Sequence, residues 1–158
     1  MIRRALPLLA AALFVAGCSS SDTPPQVTFT AGAADAVARP TQYCDIAFKD
    51  CTNDATAPVT LAVPAGTKLQ IDVPDGISST PWHVIFGYRD ATGQQVDGRS
   101  PVFAPGKQTH YELELPDPAD RLLTAQVQQF GPPPQANTAT GELEFPIRAS
   151  WVLTAAAV

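Results

Sequence analysis

Prolines constrain this chain more than any other feature. Beyond the N-terminus they fall at positions 40, 58, 64, 74, 81, 101, 105, 116, 118, 132–134 and 146. Each removes a backbone donor and clashes with a continuing helix, so long helices do not fit between them, while short strands and turns do. The stretches in between alternate apolar and polar residues with period two, as strands buried on one face do. Gln26-Val27-Thr28-Phe29-Thr30, Val59-Thr60-Leu61-Ala62-Val63 and Thr67-Lys68-Leu69-Gln70-Ile71-Asp72-Val73 show this pattern. Pro64-Ala65-Gly66 and Pro74-Asp75-Gly76 read as the turns that follow.

The richest strand candidate is Trp82-His83-Val84-Ile85-Phe86-Gly87-Tyr88, with Trp82, Val84, Phe86 and Tyr88 on one face and the hairpin turn Asp90-Ala91-Thr92-Gly93 after it. Tyr111, Leu113 and Leu115 alternate with His110, Glu112 and Glu114. The longest inward file is Leu143, Phe145, Ile147, Ala149, Trp151 and Leu153. Glu142, Glu144, Arg148 and Ser150 then face out, and Pro146, in that outward file, marks an edge or a bulge. Residues 117–131 admit two readings. Asp117, Pro118 and Gly131 could cap a helix, whereas a strand from about Leu122 places Leu123, Ala125 and Val127 inward. The strand is preferred, because the long final strand needs an antiparallel neighbour. Residues 131–141, with Pro132-Pro133-Pro134, then form the loop between the two.

Seven or eight short strands with frequent turns predict an all-β fold, an immunoglobulin-like antiparallel two-sheet β-sandwich. Hydrophobic residues make up 45% and charged residues 16%, enough apolar material for one core and too little charge for a disordered chain. A tryptophan early in a middle strand suits an immunoglobulin-like core.

The N-terminus has a different character. Met1-Ile2-Arg3-Arg4 is basic, and the 13 residues from Ala5 to Gly17 are apolar. A spanning helix needs about 20 residues, so this run matches a cleaved secretory signal peptide. Val15-Ala16-Gly17-Cys18 resembles the bacterial lipobox. That resemblance implies a diacylglyceryl group on the Cys18 thiol and cleavage between Gly17 and Cys18. The expected organisation is a lipoprotein signal peptide over 1–17, a flexible tether over 18–25, a β-sandwich domain over 26–154 and a tail over 155–158. The mature protein is expected to be exported and held on the outer face of the cell membrane, its membrane partner reached through the lipid on Cys18.

Lipidation leaves Cys44 and Cys51. Export favours a disulfide between them, closing a small loop. Free thiols are the second reading. A metal site is weakest, because Cys-x6-Cys is not a usual zinc spacing and no histidine lies nearby.

Across roughly residues 24–154 the chain resembles a family of uncharacterised actinobacterial lipoproteins that carry a domain of unknown function. The carrying features, in order, are Pro24-Pro25-Gln26-Val27-Thr28, then Tyr43-Cys44-Asp45 with Cys51, then Val59-Thr60-Leu61-Ala62-Val63-Pro64. Leu69-Gln70-Ile71-Asp72-Val73-Pro74, Pro81-Trp82 with Tyr88 and Asp90, and a terminal strand around Trp151 follow. The resemblance implies an envelope location and two structural cysteines, and no activity.

The residues themselves point away from catalysis. His83 and His110 are the only histidines, Gly-x-Ser-x-Gly is absent, and Ser78, Ser79 and Ser100 sit in turn-rich stretches. The Val63-Pro64-Ala65-Gly66-Thr67 turn resembles that of exported copper proteins of cupredoxin type. Those proteins need a late cysteine and usually a methionine, whereas here the one methionine is Met1 and no cysteine follows Cys51. The pairs Glu112/Glu114 and Glu142/Glu144 fall on outward files and read as solvated. No cofactor and no metal are expected. Net charge is −5; without Arg3 and Arg4, 8 basic residues face 15 acidic ones, a net of −7. Such a balance argues against nucleic acid and against electrostatic docking to anionic lipid. The expected function is a non-catalytic module that binds an envelope protein or polysaccharide partner, with residues 131–141 as one contact. The alternative is a carrier of an envelope lipid or small apolar ligand.

Overall fold

The computed structural model describes residues 23–131, 135–136, 138–141 and 143–156, and among these nearly every ordered element is a strand. In chain order they are β1 (Val27–Ala31), β2 (Ala34–Ala38), β3 (Gln42–Cys44), β4 (Cys51–Asn53), β5 (Val59–Ala62) and β6 (Leu69–Asp72). A helical turn α1 (Asp75–Ser78) precedes β7 (Trp82–Arg89), β8 (Gln95–Arg99) and β9 (His110–Leu113). β10 (Arg121–Phe130), β11 (Gln135–Ala136), β12 (Leu143–Glu144) and β13 (Ile147–Ala156) complete the chain. No helix among the described residues is long and apolar enough to cross a membrane.

Two sheets pack face to face as the expected sandwich. The smaller has the order β2-β1-β6-β9; the larger has the order β4-β3-β13-β10-β7-β8, with β5 also pairing β13. Strands β1-β6-β9 opposite β5-β13-β10-β7-β8 reproduce immunoglobulin-like connectivity, with β2 to β4 inserted between β1 and β5. β5 runs parallel to β13; the other described ladders are antiparallel. That pairing carries β13 to Ala156, two residues past the expected domain end, because Ala155 and Ala156 pair Leu61 and Ala62.

The period-two files meet between the sheets. Val27, Phe29, Leu69, Ile71 and Leu113 of the smaller sheet face Trp82, Val84, Ala125, Val127, Ala149, Trp151 and Leu153 of the larger. At about 25 cal/mol per Å2, one buried indole contributes on the order of 4–6 kcal/mol of transfer free energy before ordering costs. The polar ends of both indoles are satisfied: Trp82 Nε1 donates to Gln108 O at 3.1 Å and Trp151 Nε1 to Pro25 O at 2.9 Å. The end of the expected tether is thereby packed onto the domain.

Several local expectations are corrected. Pro74-Asp75-Gly76 opens into the α1 turn, because Ile77 and Ser78 both donate to Pro74 O and Ile77, fully buried, plugs one end of the sandwich. Residues 121–130 form a strand, as preferred, but the register shifts between Leu122 and Thr124, so Leu122 is buried and Leu123 only half-buried. Residues 131–141 are not simply a loop: β11 lies within them and pairs β12 antiparallel as a separate two-stranded sheet.

The inward file of β13 also breaks at its start. Phe130 pairs Ile147 whereas Gln129 pairs Ala149, which leaves Arg148 as the extra residue of a bulge beside Pro146. The break leaves Phe145 59% exposed, out of the core file. Ser150 does not face solvent either, because the Thr41 hydroxyl covers its own at 2.8 Å. Glu142 and the side chains of Leu143 and Glu144 lie outside the described residues.

Candidate binding surface

β7 turns Trp82 and Val84 inward, so His83 stands on the outer face of the larger sheet. Across the ladder from His83 lies Gln128 of β10, whose Oε1 is 2.8 Å from His83 Nε2. The imidazole stacks at a tilt against Phe130, with centroids 4.9 Å apart, and Phe130 meets the edge of Phe145 at 6.2 Å. Pro81, Val102 and Pro146 close the sides, and Arg99 stands at the rim. The result is an open, mostly apolar groove of about 950 Å3 at one end of the sheet. Other clefts, at residues 63–69 with 113–122 and beside the β7–β8 ladder, hold about 190 and 470 Å3.

Behind the groove, β10 and the bulge of β13 carry polar side chains with backbone partners. Gln129 is fully buried and donates to Gly76 O at 2.9 Å and Ile77 O at 3.0 Å, which holds α1 against β10. Arg148, released from the strand alternation by the bulge, is not the solvent-facing side chain that period two predicts. Its Nε donates to Cys44 O at 2.9 Å and its Nη2 to Tyr43 Oη at 3.0 Å, with the guanidinium 4.9 Å above the Tyr43 ring.

Cys44 and Cys51 form a disulfide across directly paired positions of β3 and β4, which sets aside the free-thiol and metal readings. The bond closes the loop at residues 45–50, in which Asp45 Oδ1 accepts from the backbone of Lys49 at 2.8 Å. Phe48, at φ 55°, lays its ring on Gly131, where an added Cβ would lie 2.5 Å from ring carbons. Cys18 lies outside the described residues.

The remaining chemistry-bearing residues are dispersed. Ser100 Oγ accepts from Val84 N at 2.9 Å and donates to Pro101 O at 2.8 Å, so its hydroxyl is engaged by backbone rather than by a histidine. Ser78 is buried in α1. His110 is exposed on the smaller sheet, with Nδ1 2.8 Å from Asp72 Oδ1. Lys68 sits between Glu112 at 2.7 Å and Glu114 at 3.1 Å; these carboxylates, Glu112 foremost, raise the ammonium above its usual pKa. Among the described residues no group of three or more His, Cys, Asp or Glu could hold a metal ion.

Residues 20–156 match the model of a family described as "Protein of unknown function (DUF2771)". The chain belongs to this family. No curated protein and no solved structure matches it. The part matched to DUF2771 takes in both sheets, the disulfide and every residue named for the groove.

Proposed function

We propose that this chain is an actinobacterial lipoprotein, anchored through Cys18 to the outer face of the cell membrane, and that its sandwich is a non-catalytic binding module for an envelope protein or polysaccharide. The groove formed by Pro81, His83, Val102, Phe130, Phe145 and Pro146 carries this reading. It is the most spacious of the clefts described above, apolar with a few polar groups at its rim, as binding sites are. The anchor is supported by the basic start, the 13-residue apolar run and Val15-Ala16-Gly17-Cys18. Lipid labelling tests it: Cys18→Ala abolishes incorporation, and unchanged incorporation refutes the anchor.

The apolar lining also favours a second reading, a carrier of a lipid or small apolar ligand. Trp82, Trp151 and Phe29 fill the space between the sheets, so such a ligand would lie in the open groove rather than in the interior. Native mass spectrometry of the domain, tag-purified without acylation, separates the two readings. A clean apo mass supports the binding module; a retained apolar adduct, lost in Val102→Asp, supports the carrier.

A further inference from the structure

Ile46, Val102 and Phe145 are 70%, 58% and 59% exposed. One exposed hydrophobic side chain needs no explanation, but an apolar patch at one place marks a contact. These three come from distant parts of the sequence, and the strand order places them at the same end of the sandwich, Val102 and Phe145 in the groove and Ile46 in the loop beside it. Ile46 lies in the loop between β3 and β4, whose Phe48 packs on Gly131. Val102 follows β8, next to Phe103, which bridges Trp82 at the start of β7. Phe145 directly precedes β13. The apolar groove opens at the same end.

The chain also enters the fold there. Pro25 is fixed by the Trp151 indole and lies beside Gly76 of α1; α1 in turn is held by Gln129, the neighbour of Phe130 in the groove. From Cys18 to Pro25 is a span of seven residues, which reaches at most about 25 Å when fully extended. The ten-residue strands β10 and β13 run about 33 Å. A tether shorter than the sandwich cannot lead round to its opposite end.

We infer that this end of the sandwich is seated on a phospholipid bilayer, with Ile46, Val102 and Phe145 inserted at the lipid interface. The inference rests on the lipid anchor at Cys18 proposed above, and it gives the groove to the bilayer in place of a protein or polysaccharide. Charge does not drive the contact. Lys49, Arg99 and Lys107 stand at this end together with Asp45, Asp50 and Asp75, and the chain from Cys18 onward, with 8 basic and 15 acidic residues, carries −7. Seating is therefore apolar and insensitive to salt, unlike a polybasic patch. Three side chains bind weakly on their own, but the tether holds them at millimolar effective concentration, on the order expected for short linkers.

The test uses the full chain, purified with its lipid and reconstituted into vesicles of phosphatidylcholine and phosphatidylglycerol. Reporters are Phe145→Trp, Val102→Trp in case the first does not fold, and Ala91→Trp at the β7–β8 turn on the opposite end. The fully buried Trp82 and Trp151 give a background read from the parent chain. Lipids brominated on their acyl chains are expected to quench the Phe145→Trp or Val102→Trp signal about two-fold, at low and high salt alike, and to leave Ala91→Trp unchanged. Lack of quenching at both groove positions, or quenching there by aqueous iodide on the vesicles, overturns the seating and leaves the groove to a protein or polysaccharide. Intact mass reports the anchor separately. A diacylglyceryl adduct with unquenched reporters refutes the seating alone; absence of the adduct refutes the anchor and the seating that depends on it.

Discussion

Arg148 shows how much one residue of irregularity can reorganise. Period two places it on the outer face of the last strand, but the bulge beside Pro146 redirects it to join Tyr43, the Cys44 carbonyl and, at 3.5 Å, the Gln129 amide. Removing it leaves half-buried acceptors without their donor, which costs more than the bonds contribute on balance. Arg148→Ala is expected to lower unfolding free energy by about 2–4 kcal/mol, read from urea midpoints. Arg148→Lys recovers less than half of that, because an ammonium cannot span two acceptors and stack on a ring as a planar guanidinium does. Equal stability of Arg148→Lys and the parent chain contradicts this account. Trp82, by contrast, was legible in the sequence: its place in the core follows from alternation alone, with no help from bulges or partners far along the chain.

At the level of elements, the hairpin of β3 and β4 depends on its covalent bond. β4 is exposed along its length, so little burial holds it to β3. In the loop-entropy picture a ring this small contributes about 2–3 kcal/mol. Reduction is expected to lower stability by that amount and to free the loop at residues 45–50 from Gly131, seen as faster amide exchange at Lys49 and Asp50. Unchanged exchange after reduction counts against it. The β7–β8 turn is held differently, by one carboxylate: Asp90 Oδ1 accepts from Thr92 Oγ1 at 2.7 Å and from the amides of Thr92 and Gln94, each at 2.9 Å. These bonds, the Thr92 hydroxyl first, lower the Asp90 pKa below its ordinary 3.8. A depressed carboxylate supports the fold fully above its unfolded pKa, and that support is lost as pH falls through the folded value. The amide shifts of Thr92 and Gln94 should therefore titrate with a midpoint below 3.8, and Asp90→Asn should abolish the titration. Both elements could be read in the sequence, one from cysteine spacing and the export expected of it, the other from Asp-x-Thr-Gly turn chemistry. The β11–β12 ribbon could not, because two paired residues a strand beside three consecutive prolines are too few to show alternation.

For the whole molecule, period two and the proline spacing were enough for a two-sheet sandwich, since each amphipathic strand must bury one face against another layer. They were not enough for the candidate surface. The exposed trio sits next to strand ends, in the loop at 45–50, the segment after β8 and the residue before β13, and the last two join His83 and Phe130 to line the groove. Alternation says nothing about such positions, and it takes the topology to place them at the end where Pro25 enters. The short tether then makes a quantitative demand on the seated arrangement. If it supplies the effective concentration that three apolar side chains need, lengthening it must weaken seating. A flexible insertion of about 30 residues after Ser21 lowers the effective concentration roughly tenfold, by the −3/2 power of linker length. Quenching of Phe145→Trp by brominated lipid should fall accordingly, while a chain anchored at Cys18 as proposed stays on the vesicle. Full quenching with the long tether would mean that the end of the sandwich holds lipid by its own affinity, in which case a chain purified without acylation should bind the same vesicles.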